Sequence, residues 1–476
     1  MKKQEKNVKK KTSNLFYKIL SFILVIISVS SASVILYFEV LPQKYLIILF
    51  IILILIILGI CYKLNTKTLL FTKIIMTIFS LIIICIESLG IIYSIGTIDL
   101  FNNIFDTGYR IETYNIYVLN DSTYTSLKEL NNQNIIIYET ESNTLKKAIN
   151  KLKDKINFEK ISVDSITSGV NSILEKESEA FLISESLISI YKDSHEEDYA
   201  KLKVLDTIDI LTKSSGSFKI VDVRKKPFVV YLSGSDLTGS INKVSRSDVN
   251  LLAIVNPKKG KILLINTPRD YYVTLPTKKA LDKLTHAGIY GIEESALTLG
   301  NLYDIDVNYY ARVNFTSFVK IIDALNGIEV NSKYAFSYDG YTFKKGINKL
   351  DGKAALAFSR ARKMLPDGDR SRGENQQAVI EGILKKVTNL SILTKYNTLL
   401  KSIESGVMTN VDQTVISKLV NLQIDENIKW ELESISVKGK DMMKPTYSTG
   451  TASVSVTIPN EEDINMALEK IKELID

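Results

Sequence analysis

SDVNLLAIVNPKKGKILLINTPRD, residues 247–270, decides the fold. Two short apolar runs, VNLLAIVN and KILLIN, flank the turn PKKGK at Pro257–Lys261, and each is too short for a core helix. Runs of this length, rich in Val, Ile and Leu and bounded by Pro and Gly, read as strands. Charged pairs stand at the outer ends: Arg246 and Asp248 before the first, Arg269 and Asp270 after the second. Upstream, PFVVYLSGSD opens the unit with another apolar run that ends at Asp236. Downstream, ESALTLGNLY and FTSFVKIIDAL carry apolar residues at helical spacing. Strands mixed with helices in this order predict an α/β domain with a mixed central sheet over residues 224–400.

The same reading extends in both directions. Between residues 105 and 215, NIYVL, NIIIYE and AFLIS read as strands and TLKKAINKLKD as an amphipathic helix, which predicts a small accessory α/β domain. It holds no phosphate loop, and His195 lies in the solvated stretch DSHEED. KSSGSF marks a linker between the two units. Residues 401–476 are expected to form a C-terminal α/β extension packed on the larger domain, with helices at Val415–Leu422 and Glu461–Ile475 and strands around Glu431–Val437 and Ala452–Ile458.

Ahead of these lie three apolar stretches within residues 16–99, preceded by a basic tail over residues 1–15. A bilayer core about 30 Å thick needs roughly 20 apolar helical residues. Three such runs in succession exceed what a water-facing core uses, so we expect three transmembrane helices. Small residues near Ser28–Ser33 imitate a signal-peptidase site, but two further spans follow, which favours an uncleaved anchor. The lysine-rich tail places the N-terminus in the cytoplasm and everything after the third span outside it. Most of the net charge of +7 sits in that tail, leaving the rest nearly balanced, which argues against nucleic acid as a partner. Cys61 and Cys85, the two cysteines, both fall in the spans. An exported portion without cysteine, rich in Ile, Lys and Asn, suits a low-GC Gram-positive bacterium.

The chain uses nine arginines against 51 lysines, and seven of the nine lie between Arg246 and Arg372. FSRARKMLPDGDRSRGENQQ, residues 358–377, holds four of them: Arg360, Arg362, Arg370 and Arg372. A lone Arg–Asp pair is usually a solvated ion pair worth less than about 1 kcal/mol. Arginine concentrated in a lysine-using chain marks places where two-pronged geometry is required, as phosphate oxygens require it. The carboxylates beside them suit a hard cation such as Mg²⁺ or Mn²⁺. Together they predict a site for a pyrophosphate and a divalent metal. LDGKAALAFS reads as a helix with Asp351 at its N-cap, ending near Ser359, after which extended backbone would turn Arg360 and Arg362 to one face.

The order GSD, SRSD, NTPRD, KLTHAGIYG, YYARVNFTSFVKIIDALNGIEV, INKLDGKAALAFSRAR, GDRSRGENQQ over residues 226–385 resembles the LytR–CpsA–Psr (LCP) family. The spans and the small extra domain are similar to its capsule-associated branch. The resemblance implies a membrane-anchored, extracytoplasmic, Mg²⁺-dependent phosphotransferase. Such an enzyme moves a glycopolymer, capsular polysaccharide or wall teichoic acid, from a polyprenyl-diphosphate carrier onto peptidoglycan. It also implies roles: Asp236 and Asp248 at the metal; Arg269, Arg360, Arg362, Arg370, Arg372 and Gln376 at the pyrophosphate; Arg246, Asp248, Arg269 and Asp270 in catalysis. Asp248 and Asp270 stand as alternatives for the proton acceptor. Departures are Tyr271 after the Thr267–Asp270 motif, and Thr285-His-Ala-Gly288 where many members read N-H-A-Y. His286 reads as a structural hydrogen-bonder. A lipid-pyrophosphate hydrolase and a ligand-sensing membrane regulator are the competing readings; a transcriptional role conflicts with the topology.

Overall fold

A computed structural model describes residues 2–37, 42–105, 109–140, 142–213, 218–235, 240–389, 396–403 and 406–476. Two compact units emerge: residues 1–103 with 412–428, and residues 104–411 with 429–476.

The first unit contains three long helices, α1 (Lys2–Tyr37), α2 (Gln43–Asn65) and α3 (Leu70–Phe105), and the short helix Gln413–Glu426. Leu15–Tyr37, Lys44–Asn65 and Leu70–Ile92 are long and apolar enough to cross a membrane. Leu20 and Leu24 meet Ile57, Ile60 and Leu64 inside the unit, while Phe22, Ile52 and Ile82 point outward. Apolar side chains displayed all round are what a lipid surround requires. Glu87, a buried carboxyl among these helices, accepts a hydrogen bond from Ser28 at 2.7 Å and so ties α3 to α1.

In the second unit, β1 (Tyr109–Leu119), β2 (Gln133–Tyr138), β3 (Phe158–Val163), β4 (Ala180–Ser184) and β5 (Leu202–Lys213) build the accessory domain. They form a mixed sheet in the order β3-β2-β4-β1-β5. Alternation along β2 splits its isoleucines: Ile135 and Ile137 join α4 (Asn143–Lys153) on one face, and Ile136 joins α5 (Ile166–Leu174) on the other. Ser142 caps α4, accepting from the amides of Thr144 and Leu145.

The larger domain is built on β6 (Phe228–Ser235), β7 (Val249–Asn256) and β8 (Lys261–Asn266), with strands Tyr309–Asn314, Val407–Thr409 and Glu431–Ser436. The sheet runs 407–409, 309–314, β6, β7, β8, 431–436. Parallel pairing joins 309–314 to β6 and 431–436 to β8; the other pairs are antiparallel, so the sheet is mixed as expected. Beyond its first residue each of β7 and β8 is buried throughout, because helices cover both faces. Ala296 and Leu299 of helix Ile292–Leu302 and Ile471 and Leu474 of helix Glu461–Ile475 pack onto Leu252, Ile254 and Leu263.

The boundary expected at residue 400 does not hold. Both edge strands of the central sheet come from beyond it, and helix Gln413–Glu426 belongs to the unit of the three long helices. Residues 401–476 are therefore not one extension laid on a finished domain. The strand Glu431–Ser436 lies where one is expected, but Val407–Thr409 is too short to carry a periodic signal, and the pairing partners of both edges lie far away in sequence.

Candidate active site

The hairpin quoted at the outset explains how two distant charges meet. β7 and β8 pair with Leu251 opposite Asn266. Continuing that register by three residues sets Asp248 opposite Arg269. Their side chains join at 2.7 Å between Oδ1 and Nη1. Asp248 is held there by its own amide, which donates to the Gly234 carbonyl at the end of β6.

A second approach comes from helix Asp369–Val387. Gly368, at φ 53°, supplies the left-handed turn before it. Gln377 Nε2 donates to the carbonyls of Leu264 and Ile435 in the sheet, and Asn375 Nδ2 to that of Phe358 in helix Gly352–Arg360, which fixes the N-terminal half of this helix. Gly373 is needed for the approach, since a Cβ there would lie 2.6 Å from Asn266 Nδ2. Asp369, in the first turn of this helix, sits where the dipole favours an anion.

Asp369 then becomes the hub. Its Oδ1 lies 2.6 Å from Arg372 Nη2, 3.3 Å from Arg362 Nε and 3.7 Å from Arg269 Nε. Three guanidiniums and the carboxylates of Asp248 and Asp369 thus gather at one cleft of about 180 Å³, lined also by Asn266, Lys333, Arg370, Gln376 and Lys438. Arg269 Nε is buried and makes no hydrogen bond, its nearest carboxylate oxygens standing 3.7 Å away, so the cleft contains an unmet donor, while Asp369 Oδ1 is satisfied by ion pairing.

The electrostatics divide the arginines. Burial acts to lower the pKa of Arg269, but Asp248, Asp270 and Asp369 outweigh it and raise it, so the charge is locked on. Burial, with Arg269 adding repulsion, pushes Arg372 below its ordinary value. Arg372 therefore carries a desolvation cost that Asp369 does not fully offset, and an incoming anion would relieve it.

The expected residues fall into three groups. Asp248, Arg269, Arg370, Arg372 and Gln376 line the cleft, and Arg362 reaches its Asp369 hub. Arg360, Arg246 and Asp270 do not line it. Helix Gly352–Arg360 carries one residue beyond Ser359, which swings the Arg360 guanidinium over the Phe315 ring at 5.2 Å. The Arg246 side chain pairs with Asp193 of the accessory domain. Asp270 turns to Lys283 Nζ at 3.1 Å and Arg269 Nε at 3.7 Å; burial would raise its pKa, but these cations prevail and lower it. Asp236 lies outside the described residues.

Two features escaped the reading by spacing. Asp369 was passed over, although three residues separate it from Arg372 as one helical turn requires. His286 does have a partner acid: Nδ1 lies 2.7 Å from Asp282 Oδ1, four residues earlier, and both are buried. Ser448 donates to the second oxygen of Asp282 through its amide and its hydroxyl. These bonds tie the 282–286 segment to Ser448.

Against this geometry, the LytR_cpsA_psr family profile matches residues 187–472. The chain belongs to the LytR–CpsA–Psr family. Over 203 residues it is 39% identical to the polyisoprenyl-teichoic acid–peptidoglycan teichoic acid transferase TagU of Bacillus subtilis, a match covering 42% of this chain and 66% of that protein, just under two thirds. Against the Enterococcus faecalis protein of the same name it is 33% identical over 275 residues, 57% of this chain and 86% of the relative. The crystal structure of B. subtilis TagU shares 32% sequence identity with a TM-score of 0.42, covering 53% of this chain and 98% of that one. The matched region of this LCP protein contains the whole arginine–aspartate cleft.

A hard divalent cation was expected in this LCP cleft, and its donor set suits one chemically. The acidic groups lining it are the carboxyls of Asp248, Asp367, Asp369 and Glu374, with neither thiol nor imidazole. Among the described residues, no three His, Cys, Asp or Glu side chains converge tightly enough to hold a metal alone. The second expected ligand, Asp236, is outside that set.

Proposed function

We propose that this chain is a membrane-anchored phosphotransferase, with its catalytic domain outside the cytoplasm, that moves a glycopolymer from a polyprenyl-diphosphate carrier onto peptidoglycan. The observation that carries this reading is the convergence of Arg269, Arg362 and Arg372 with Asp248 and Asp369 on one cleft, where a buried guanidinium N–H has no partner. Two linked phosphates supply the oxygens such a set lacks. The names of its LCP relatives point to the same chemistry, and the basic tail ahead of three spans supports the outward orientation.

In the reaction, an acceptor hydroxyl attacks the phosphorus that bears the glycan, and polyprenyl phosphate departs. Charge spreads over the bridging and equatorial oxygens, so positioned cations do most of the work. Arg269 and Arg372 grip the diphosphate from two sides, and Arg362 follows once the phosphate replaces the Asp369 carboxylate between them. Asp270 orients Arg269; with its lowered pKa and two cationic neighbours it is a weak proton acceptor. Asp248, together with Asp236, would hold Mg²⁺, which would neutralise the neighbouring phosphate.

The test uses the full chain in lipid nanodiscs with a labelled polyprenyl-diphosphate glycan, Mg²⁺ and peptidoglycan. Label should enter peptidoglycan, and the Arg372→Ala variant should fail to move it. Release of free glycan phosphate at the same rate with and without peptidoglycan would make the protein a hydrolase instead. Absence of any carrier binding would reject both.

A further inference from the structure

The accessory domain is locked to the larger domain. Ile111 of β1 exchanges hydrogen bonds with the 242–244 segment: its amide donates to Asn242, and its carbonyl accepts from Val244, at 2.8 and 2.9 Å. Arg110 Nη1 reaches the Tyr290 carbonyl at 2.9 Å, Lys243 pairs with Glu185 at 3.4 Å, and Arg246 pairs with Asp193. The two domains enclose a second cleft of about 800 Å³, lined by residues of both. That volume suits a drug-sized or larger ligand.

Its chemistry differs from that of the arginine cleft. Four basic and four acidic side chains line it, so they cancel where the first site is cationic. Several are already engaged: Lys278 sits 4.5 Å from the centre of the Tyr290 ring, and Glu294 accepts from the Thr277 amide. Beside the charges the lining is mostly hydroxyl and aromatic. Ser142, Thr144, Ser184 and Ser186 come from the accessory domain, where their hydroxyls already bond one another, Glu112 or helix amides; the Tyr290 and Tyr447 rings, 5.9 Å apart, come from the other side. Tyr447 is 46% exposed, leaving its ring available. Glu293, also in the lining, is 8% exposed, and its Oε2 is buried with no hydrogen-bond partner; Arg110 Nη1 stands off at 3.7 Å. An unmet carboxylate acceptor in one lining with aromatic faces matches a ring that is apolar on its faces and carries hydroxyl donors at its edge.

We infer that this interdomain cleft binds a neutral saccharide chain, stacking a sugar ring on Tyr447 and Tyr290 and accepting a sugar hydroxyl at Glu293. Cancelled charge disfavours a phosphate ligand, and the density of hydroxyls disfavours a lipid. Sugar chains of this kind stand on both sides of the transfer proposed above, in the acceptor wall and in the carried polymer. Binding here requires no phosphotransfer and is tested without it.

The experiment titrates full chain in nanodiscs with chitohexaose, with maltohexaose and with uncrosslinked peptidoglycan glycan strands, followed by calorimetry. Variants are Tyr447→Ala, Glu293→Gln and Arg372→Ala, each checked for folding by circular dichroism. At least one saccharide should bind saturably, lose about tenfold in affinity with Tyr447→Ala or Glu293→Gln, and bind unchanged to Arg372→Ala. Preference for glycan strands or chitohexaose assigns the cleft to the acceptor, and preference for maltohexaose to the carried polymer. No binding by any probe at millimolar concentration overturns the inference, as does binding that both cleft variants leave intact or that Arg372→Ala abolishes. Saccharide binding in a protein unable to transfer would uphold this site while rejecting the proposed reaction.

Discussion

Replacing Arg372 by alanine and by lysine separates charge from fork geometry at the proposed phosphate grip. The side chain is 15% exposed and its Nη2 stands 2.6 Å from Asp369 Oδ1, so both groups are largely desolvated. Removing one preorganised donor from a developing oxyanion costs about 2.7–4 kcal/mol. At the middle of that range, transfer should fall by roughly 10²–10³-fold. Lysine keeps the charge but brings one compact ammonium on a flexible stem, with no second prong for a phosphate edge. We expect Arg372→Lys to recover no more than about tenfold of the loss. The unfolding midpoint should move little, because Asp369 keeps Arg362 at 3.3 Å and Arg269 at 3.7 Å. The assay is initial-rate transfer of labelled carrier-linked glycan into peptidoglycan, with a melting curve beside each variant. Lysine at the wild-type rate would show that geometry is irrelevant there. Alanine at the wild-type rate would refute the assignment of the cleft.

Arg360→Ala should reduce transfer by less than about tenfold, well short of Arg372→Ala in the same assay, because its guanidinium rests on Phe315 away from the cleft. Gly352→Ala should destabilise the domain despite the helix propensity it adds. A Cβ there would lie 2.3 Å from the Val319 carbonyl oxygen, and overpacking of about 1–3 kcal/mol exceeds the roughly 1 kcal/mol gain, which calorimetry would register as a lower melting temperature. Asp270 and Asp282 both hold folded pKa values below the ordinary carboxyl value, since neighbouring cations and hydrogen bonds overcome burial. Their stabilisation is complete above about pH 4 and drains as pH falls through the lowered values. A melting temperature that fell between pH 7 and 5 and then levelled would contradict that sign, and Asp282→Asn should flatten the acid limb.

Much of this was legible in the chain. Three apolar runs, the alternation within NIIIY, the Asp351 cap and the PKKGK turn act over a few residues, so periodicity and propensity report them directly. Even the meeting of Asp248 with Arg269 follows from the hairpin register. The hub at Asp369 was within reach too, one helical turn before Arg372, yet carboxylates next to arginines are usually solvated pairs and give no warning when one is central.

What folding alone decided concerns groups that meet across long intervals of chain. One extra residue at the end of helix Gly352–Arg360 carried Arg360 onto Phe315 and left Arg362 facing the hub. The central sheet took its edges from Val407–Thr409 and Glu431–Ser436, far from the strands they join. Arg246 went to Asp193, 53 residues away on another domain. Local composition names the residue types available for chemistry; which of them share a cleft depends on packing and pairing between distant segments, and neither leaves a trace in the spacing of neighbours.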